Sequence, residues 1–237
     1  MALALDCADS DIPWLRDRLR ETLGTLAEFE RDEPIHLFVR SFISGLTRDE
    51  VTDVAFLRLR ERYDWPSLAK ADWHEVERVI ACVTHAKKKA QHIGPALAAI
   101  SAEHPDFSLD FLGDWSVERA IYWLERLPGV GRKIAAATLN FSSLRRPVFV
   151  VDQHVLRIIQ RFGLIGVRSS NVKAYDAIMQ VAGAWSDFDL LELHALMKHL
   201  GQTVCRPAAP RCFECPLDPR CAKKKAALPP PFHGTSH

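Results

Sequence analysis

Two residues of the chain, Lys133 and Asp152, pair a nucleophile with a carboxylate. Lys133 follows Arg132 at the start of the Ala-rich run in LPGVGRKIAAATL. Like charge and the positive end of a helix both disfavour an ammonium ion, so we expect a lowered pKa and an amine that can attack a sugar carbon to form a Schiff base. Asp152 lies in VVDQH, where its carboxylate could stabilise a cationic sugar, move a proton or cap the next helix.

The same stretch contains a turn with a bare backbone. Pro128, Gly129 and Gly131 all interrupt helices, and a new helix is expected directly after them. The N-terminus of that helix presents unpaired backbone N–H groups and a favourable dipole, and both suit a phosphate. An ordinary helix–helix turn also uses glycine and proline. The full string LPGVGRK favours the phosphate site because it lies in a basic window of the chain.

That basic window contrasts with the whole chain, whose net charge is only +1. Residues 119–173 contain ten Lys or Arg and two acidic residues. Such a local excess can mark a surface that binds a polyanion, although a solvated basic face has the same composition. The ten basic residues are Arg119, Arg126, Arg132, Lys133, Arg145, Arg146, Arg157, Arg161, Arg168 and Lys173.

Four cysteines near the C-terminus have the spacing C-x6-C-x2-C-x5-C, in CRPAAPRCFECPLDPRC. In an intracellular chain this density favours metal or cluster ligation over disulfides. Thiolates bind both zinc and iron–sulfur centres, and the spacing alone leaves the two open. We expect Cys7 and a buried Cys82 to be free thiols. The candidate ligands are Cys205, Cys212, Cys215 and Cys221.

The elements that position these residues are predicted to be helices. Apolar residues recur at steps of three and four along most of the chain, and Ser116 is placed to cap a helix over residues 117–127. A further helix is predicted from Lys133 to about Asn140. Only PVFVVD, residues 147–152, looks extended, and it is too short for a sheet. We therefore predict an all-α fold of about ten helices with short connections.

Composition and length set broader limits. With 237 residues and 48% hydrophobic content, the chain is long enough for one large or two small domains. No apolar run reaches the roughly 18 residues of a membrane span. The apolar part of the N-terminus is too short for a signal peptide, so we expect a cytoplasmic protein, nucleoid-associated if bacterial. Residues 223–237 read as a Pro-rich disordered tail, and nothing indicates an oligomer, so we expect a monomer.

Taken in order, LPGVGRK, RRPVFVVDQH and the four-cysteine motif resemble endonuclease III, the iron–sulfur branch of the helix-hairpin-helix DNA glycosylase superfamily. The resemblance covers roughly residues 34–221. It implies two helical domains flanking a DNA cleft. A six-helix barrel with the helix-hairpin-helix would occupy residues 35–147. The iron–sulfur domain would combine residues 1–34, whose helix packs with the C-terminal half, and residues 148–222.

The resemblance also implies an activity. Lys133 looks like the Schiff-base nucleophile and Asp152 like its carboxylate partner, while the four cysteines look like ligands of a [4Fe-4S] cluster. An enzyme of this type excises oxidised pyrimidines from double-stranded DNA and cleaves the abasic site by β-elimination. The damaged base must leave the stack to be reached, which costs a few kcal/mol. Relatives without this lysine are weaker at cutting the strand, so Lys133 points to the bifunctional type.

The candidate DNA-binding residues include two departures from the family. Leu46, in FISGLTRDE, stands where relatives usually have a glutamine that fills the gap left by the extruded base. His85 stands near the position of the family's wedge leucine. These two positions, called the wedge residues below, imply unusual contacts with the opposite base. The full set is Leu46, His85, Leu127, Gly129, Val130, Gly131, Arg132 and His154.

Two alternative functions remain within the same resemblance. One is a DNA-binding module that keeps the fold but has lost catalysis, which the two wedge positions would favour. The other is a monofunctional glycosylase in which Lys133 only positions a phosphate. Base release without strand cleavage would identify that second alternative.

Overall fold

The computed structural model describes residues 5–223, with side chains from residue 11 onward. In that part the chain forms eleven α-helices, two short 3-10 helices and no strand, so the all-α fold class is confirmed. Most of the predicted tail and the side chain of Cys7 lie outside the described residues. The α-helices are α1 (Leu5–Leu23), α2 (Pro34–Ser44), α3 (Asp49–Arg62), α4 (Trp65–Lys70), α5 (Trp73–Val79), α6 (Ala86–Glu103), α7 (Val117–Glu125), α8 (Arg132–Phe141), α9 (Gln153–Phe162), α10 (Asn171–Ala182) and α11 (Asp187–Thr203).

The helices around the glycine turn begin where the sequence predicts. The Ser116 hydroxyl accepts a hydrogen bond from the Arg119 backbone N–H at 3.2 Å and caps α7. Helix α7 ends at Glu125, two residues earlier than predicted. Helix α8 follows the turn with Gly131 as its N-cap residue.

The side chains bury themselves in two separate hydrophobic cores. Helices α2 to α8 enclose the first core, while α1 joins α9, α10 and α11 around the second. The N-terminal helix therefore packs with the C-terminal half of the chain. The extended segment 147–152 runs between the cores: Val148 and Val150 enter the first, and Phe149 and Val151 enter the second. This period-two alternation reflects an extended backbone without a partner strand.

The structure corrects the predicted burial of Cys82 and also bears on the search for a membrane span. Cys82 is exposed, because the helix before it ends at Val79 and the periodicity that would bury this thiol does not continue. Among the described residues, no helix is both long and apolar enough to cross a membrane.

Candidate active site

Lys133 is the second residue of α8, and its side chain points towards the C-terminal end of α2. Its ammonium group donates hydrogen bonds to the Ser44 hydroxyl at 2.6 Å and to the Ser41 backbone oxygen at 3.3 Å. Burial lowers the pKa of Lys133 to about 8, an effect that Asp152 opposes and three neighbouring cations reinforce. A substantial fraction of this side chain is therefore a free amine at slightly alkaline pH.

The sequence predicts a lowered pKa for Lys133 but assigns the wrong cause. Arg132 was expected to repel the ammonium group, yet its Nε lies 2.7 Å from Glu125 Oε1 and its guanidinium lies 4.9 Å from the Tyr175 ring centre. The carboxylate offsets the charge of Arg132. Burial against α2, which no local pattern reveals, is the main cause instead.

Asp152 is the N-cap residue of α9 and accepts a hydrogen bond from the Val155 backbone N–H at 2.8 Å. Burial by itself would raise the pKa of Asp152. The nearby His194 and the Val155 N–H outweigh that effect and leave the pKa below its usual value. The carboxylate is consequently ionised at neutral pH and is held in place by its own helix. Capping and an electrostatic role towards Lys133 are compatible, as the sequence allowed.

Sequence reasoning missed His194, which lies on α11 beside this carboxylate. The ring is buried, its Nδ1 lies 2.9 Å from the Val150 backbone oxygen, and it packs 4.9 Å from Phe141. Burial lowers the pKa of His194, so the neutral imidazole donates its Nδ1 proton to that carbonyl. The only local signal was a histidine on the apolar face of a helix, which is also typical of an ordinary core position.

The glycine turn has the form of a helix-hairpin-helix. Gly129 adopts φ +76°, and a Cβ there would lie 2.5 Å from His92 Cγ, so glycine is required on both counts. Gly131 has an ordinary φ of −114°, and nothing lies within 4 Å of the position a Cβ would take. The side chains of Leu127 and Val130 are buried, so any contact they make with a ligand would come from their backbone.

The two wedge residues lie in neighbouring loops and share an uncommon backbone conformation. Leu46 has φ +55° and a side chain that is 64% exposed, and His85 has φ +58° and is also exposed. Positive φ is unusual for residues other than glycine and marks backbone that its surroundings hold in place. Both loops therefore present their side chains from strained, fixed positions.

One lysine holds the two loops together. The Lys89 ammonium donates to the backbone oxygens of Ile43 and Gly45, at 2.5 and 2.7 Å, and to the Thr47 hydroxyl at 3.0 Å. That hydroxyl in turn accepts from the Thr84 backbone N–H at 3.1 Å. We call this arrangement the Lys89 clamp. It fixes the residues directly beside each wedge residue, and burial lowers the pKa of Lys89 to about 8.

Several basic residues of the predicted polyanion surface have partners within the protein. Arg146 donates to two backbone oxygens near α7 at 2.7 and 2.8 Å, and Arg161 donates to two in the cysteine segment at 2.6 and 2.7 Å. Arg157 bonds the backbone of Gly201 at 2.8 Å and lies 3.1 Å from His154 Nδ1. His154 thus packs on α11, and part of the basic window serves the fold.

A cleft of about 610 Å³ lies between the first core and α11, and Lys133 and Asp152 are not among the residues that line it. Residues of α2 and α3 form one wall, and residues of α11 form the other. Lys198 acts electrostatically on both Lys133 and Asp152, which places these groups near the cleft. The residues that line the cleft are Leu26, Phe29, Glu30, Asp32, Leu37, Arg40, Asp49, Asp53, Phe141, Leu191, His194, Ala195 and Lys198.

The four candidate cysteine ligands converge. Cys205, Cys212, Cys215 and Cys221 line one cavity at the end of α11. Burial raises the pKa of Cys215 to about 11, and the three other thiols add to the effect, as expected for sulfurs brought together without a cation. Within the described residues, no three such side chains approach closely enough to hold a single metal ion.

The four cysteines supply the donor set of either a zinc ion or an iron–sulfur cluster. Four thiolates around one zinc lie about 3.8 Å from one another, since each Zn–S bond is about 2.3 Å. A [4Fe-4S] cluster binds each thiolate through a different iron, so its ligands surround a larger volume. Four cysteines that line one cavity are compatible with a shared bound group.

The described residues thus form an all-helical protein with two hydrophobic cores, a helix-hairpin-helix turn and a lysine that interacts with a carboxylate. Residues 39–183 match the model of the family described as HhH-GPD superfamily base excision DNA repair protein. The chain belongs to this family.

Relatives of known name cover most of the chain. An endonuclease III from Thermotoga maritima is 28% identical over 192 residues, which span 80% of this chain and 83% of that protein. An endonuclease III homolog from Encephalitozoon cuniculi is 27% identical over 202 residues, spanning 81% and 80%. Among solved structures, a trapped endonuclease III–DNA covalent intermediate aligns with a TM-score of 0.74 at 23% identity, covering 92% of this chain and 98% of that one.

Proposed function

We propose that the protein is a bifunctional DNA glycosylase and abasic-site lyase that excises oxidised pyrimidines from duplex DNA. One observation carries the proposal: Lys133, whose pKa is lowered to about 8, lies at the hairpin helix with the ionised Asp152 close enough to oppose that lowering. Family membership supports base excision repair, and the similar endonuclease III structures include complexes with DNA.

In the first step the Lys133 amine attacks C1′ of the damaged nucleotide. The C1′–N bond breaks and its electron pair leaves with the base, which then takes up a proton. Positive charge develops on the sugar in this step, and the Asp152 carboxylate stabilises it electrostatically. The attacking nitrogen loses a proton, the C1′–O4′ bond breaks, and O4′ takes up a proton. The C1′=N bond that forms in the opened sugar is the Schiff base.

In the second step the protonated imine acts as an electron sink. A base removes a proton from C2′, a double bond forms between C2′ and C3′, and the C3′–O bond breaks with departure of the 3′ phosphate. Water then hydrolyses the imine and returns the Lys133 amine. One lysine thus serves both base release and strand cleavage.

The hairpin and the wedge residues would bring DNA to this lysine. At Gly131 nothing lies within 4 Å of the position a Cβ would take, so the backbone there would offer the helix N-terminus to a phosphate, whereas the His92 side chain lies against Gly129. Leu46 and His85 would enter the stack and occupy the space of the extruded nucleotide. We also propose that the two cores correspond to the two predicted domains and that the protein acts as a monomer.

We propose that the four cysteines hold a [4Fe-4S] cluster. When bound, such a cluster cross-links the segment after α11 and neutralises its crowded thiolates. Arg161 Nη1 lies 3.4 Å from Cys205 Sγ, which would offset part of the negative charge of a thiolate there. We expect Cys215→Ser to lower the iron content and to cost about 3 kcal/mol or more of unfolding free energy. Unchanged iron content and stability would contradict this role.

The proposed reaction is tested by borohydride trapping on duplexes that contain an abasic site or an oxidised pyrimidine. We expect the wild type to form a covalent adduct on both duplexes, and Lys133→Ala to reduce trapping by at least about 10³-fold. Lys70→Ala is the matched control, because Lys70 is an exposed lysine at the end of α4.

The remaining outcomes separate the alternatives. Free base released from an uncut strand would identify a monofunctional glycosylase. DNA affinity without an adduct or turnover on any lesion would identify a binding module. Either result would overturn the proposed bifunctional activity.

A further inference from the structure

An ion pair crosses the cleft between the two cores. Lys198 Nζ on α11 lies 2.6 Å from Oδ1 of Asp49, the first residue of α3, and Gln202 Nε2 lies 3.5 Å from the other carboxylate oxygen. The Lys198 side chain is 28% exposed and that of Asp49 is 38% exposed, and both residues line the cleft. Their charged groups are therefore accessible to a molecule that enters it.

The ion pair between Lys198 and Asp49 contributes little to the stability of the fold. Ion pairs that remain in contact with solvent contribute little to stability, because water screens the charges. Lys198 has three N–H donors, and Asp49 is its one hydrogen-bonded acceptor among the described residues. The other two donors are available towards the cleft. Neither residue has a part in the two reaction steps described above.

The second cation that lines the cleft is not equivalent. Arg40 directs both its Nε and one terminal nitrogen at Asp53 Oδ1, at 2.8 and 2.5 Å, within the first core. That contact pairs the charge of Arg40 and occupies two of its N–H groups. Arg40 and Lys198 both act on Lys133, but of the two only Lys198 also shifts the pKa values of Asp152 and His194.

The departing base needs such a cation. When the C1′–N bond breaks, the electron pair remains on the base, and the negative charge spreads to its ring nitrogens and exocyclic oxygens. In a cleft partly shielded from water, a fixed positive charge beside those oxygens stabilises the transition state. The Asp152 carboxylate stabilises the positive charge on the sugar. Being negative itself, it cannot stabilise the negative charge on the departing base.

We propose that Lys198 is a catalytic residue for base release: it exchanges Asp49 for an oxygen of the extruded base and stabilises the base as it leaves with the bonding electron pair. Asp49 holds the ammonium group at the cleft wall until the base arrives. The inference rests on the proposed glycosylase function and adds a residue to its first step. The second step, in which the base is already gone, does not need Lys198.

The experiment compares Lys198→Met with wild type in single-turnover assays at pH 9. At that pH the Lys133 amine is largely free in both proteins, so the influence of Lys198 on Lys133 is minimised. We expect excision of 5,6-dihydrouracil to fall by about 10²-fold and trapping on a preformed abasic site to fall by less than about threefold. Lys70→Met serves as the exposed control.

Two further comparisons test the charge itself. For 5-hydroxyuracil, whose unsaturated ring spreads the negative charge, the loss in Lys198→Met should be at least about fivefold smaller than for dihydrouracil. Lys198→Arg keeps the charge and should recover part of the excision rate, whereas Lys198→Gln keeps only a donor and should not.

The outcomes distinguish this inference from the proposed function. Equal losses of excision and abasic-site trapping in Lys198→Met, or no loss of excision, would overturn the role of Lys198. A wild-type protein that traps neither duplex would overturn the proposed function instead.

Discussion

Lys133 and Lys89 both lie against the C-terminal end of α2, and burial lowers the pKa of each side chain to about 8. The Lys89 ammonium group donates to three acceptors at 2.5 to 3.0 Å, one in the last turn of α2 and two in the loop that follows. Lys133 has two, at 2.6 and 3.3 Å, and one of these is a serine hydroxyl that can rotate away. Asp152 acts on Lys133 but is not among the groups that shift the pKa of Lys89.

The comparison shows that a lowered pKa does not by itself make a nucleophile. Lys89 is surrounded by the carbonyl oxygens it must satisfy, so its nitrogen is committed to the fold. Lys133 lies beside a cleft and a carboxylate that can stabilise an electron-poor sugar. The chemistry follows from what each amine faces, because burial alone affects both in the same direction.

The largest expected effect on the excision rate comes from a substitution that removes the charge of Asp152 but keeps its role as a helix cap. Asp152→Asn removes the negative charge but keeps an oxygen that can accept from the Val155 N–H, so α9 should remain capped. We expect the single-turnover excision rate to fall about 10²- to 10³-fold with little change in thermal stability. Rates on a dihydrouracil duplex and a melting curve provide the two measurements.

A matched control exists in α4. Asp64 is also an N-cap residue, and its carboxylate accepts from the Ser67 N–H at 2.8 Å on an exposed surface. Asp64→Asn should leave excision at the wild-type rate. If both asparagine variants had equal activity, Asp152 would be a structural cap only.

The next effect tests the Lys89 clamp. Lys89→Met leaves the backbone oxygens of Ile43 and Gly45 without their donor, which should cost about 1–3 kcal/mol of unfolding free energy. It should also release the wedge residues and lower excision from duplex DNA about tenfold. Trapping on an abasic site in single-stranded DNA, which has no opposite base, should fall much less.

Lys89→Arg and Lys70→Met sharpen this test. The arginine keeps donors for the loop and should recover part of the excision activity on duplex DNA. Because Lys70 is exposed, Lys70→Met should leave that activity unchanged. Equal losses on duplex and single-stranded substrates would show that Lys89 supports the fold in general and does not position the wedge residues.

The smallest effect concerns pH. The reactive form of Lys133 is the neutral amine, so trapping on a preformed abasic site should rise with pH and level off above about 8. With a pKa near 8, the amine fraction grows roughly fivefold from pH 7 to 8 and less than twofold from pH 8 to 9. The rate of single-turnover trapping, measured from pH 7 to 9, tests this dependence. A rate that still climbs steeply above pH 9 would indicate an ordinary lysine.

Much of the fold could be predicted from local patterns. The three-and-four spacing of apolar residues and the cap at Ser116 placed α7 and α8 to within two residues of their observed bounds. The extended character of residues 147–152 was also visible. The division of that segment between two cores was not, because alternation in a short apolar run does not reveal which partners lie on each side.

The sequence by itself determined the helical class, the glycine turn, the cap at Asp152 and the grouping of the four cysteines, since each depends on residues close in the chain. Only the tertiary structure brought Lys133 against α2, His194 beside Asp152 and Lys198 across to Asp49. Those contacts join residues far apart in the chain, up to 149 positions for Lys198 and Asp49, and burial and charge act through space. The different surroundings of Lys133 and Lys89 therefore follow from packing, because contacts with residues distant in the chain determine each of them.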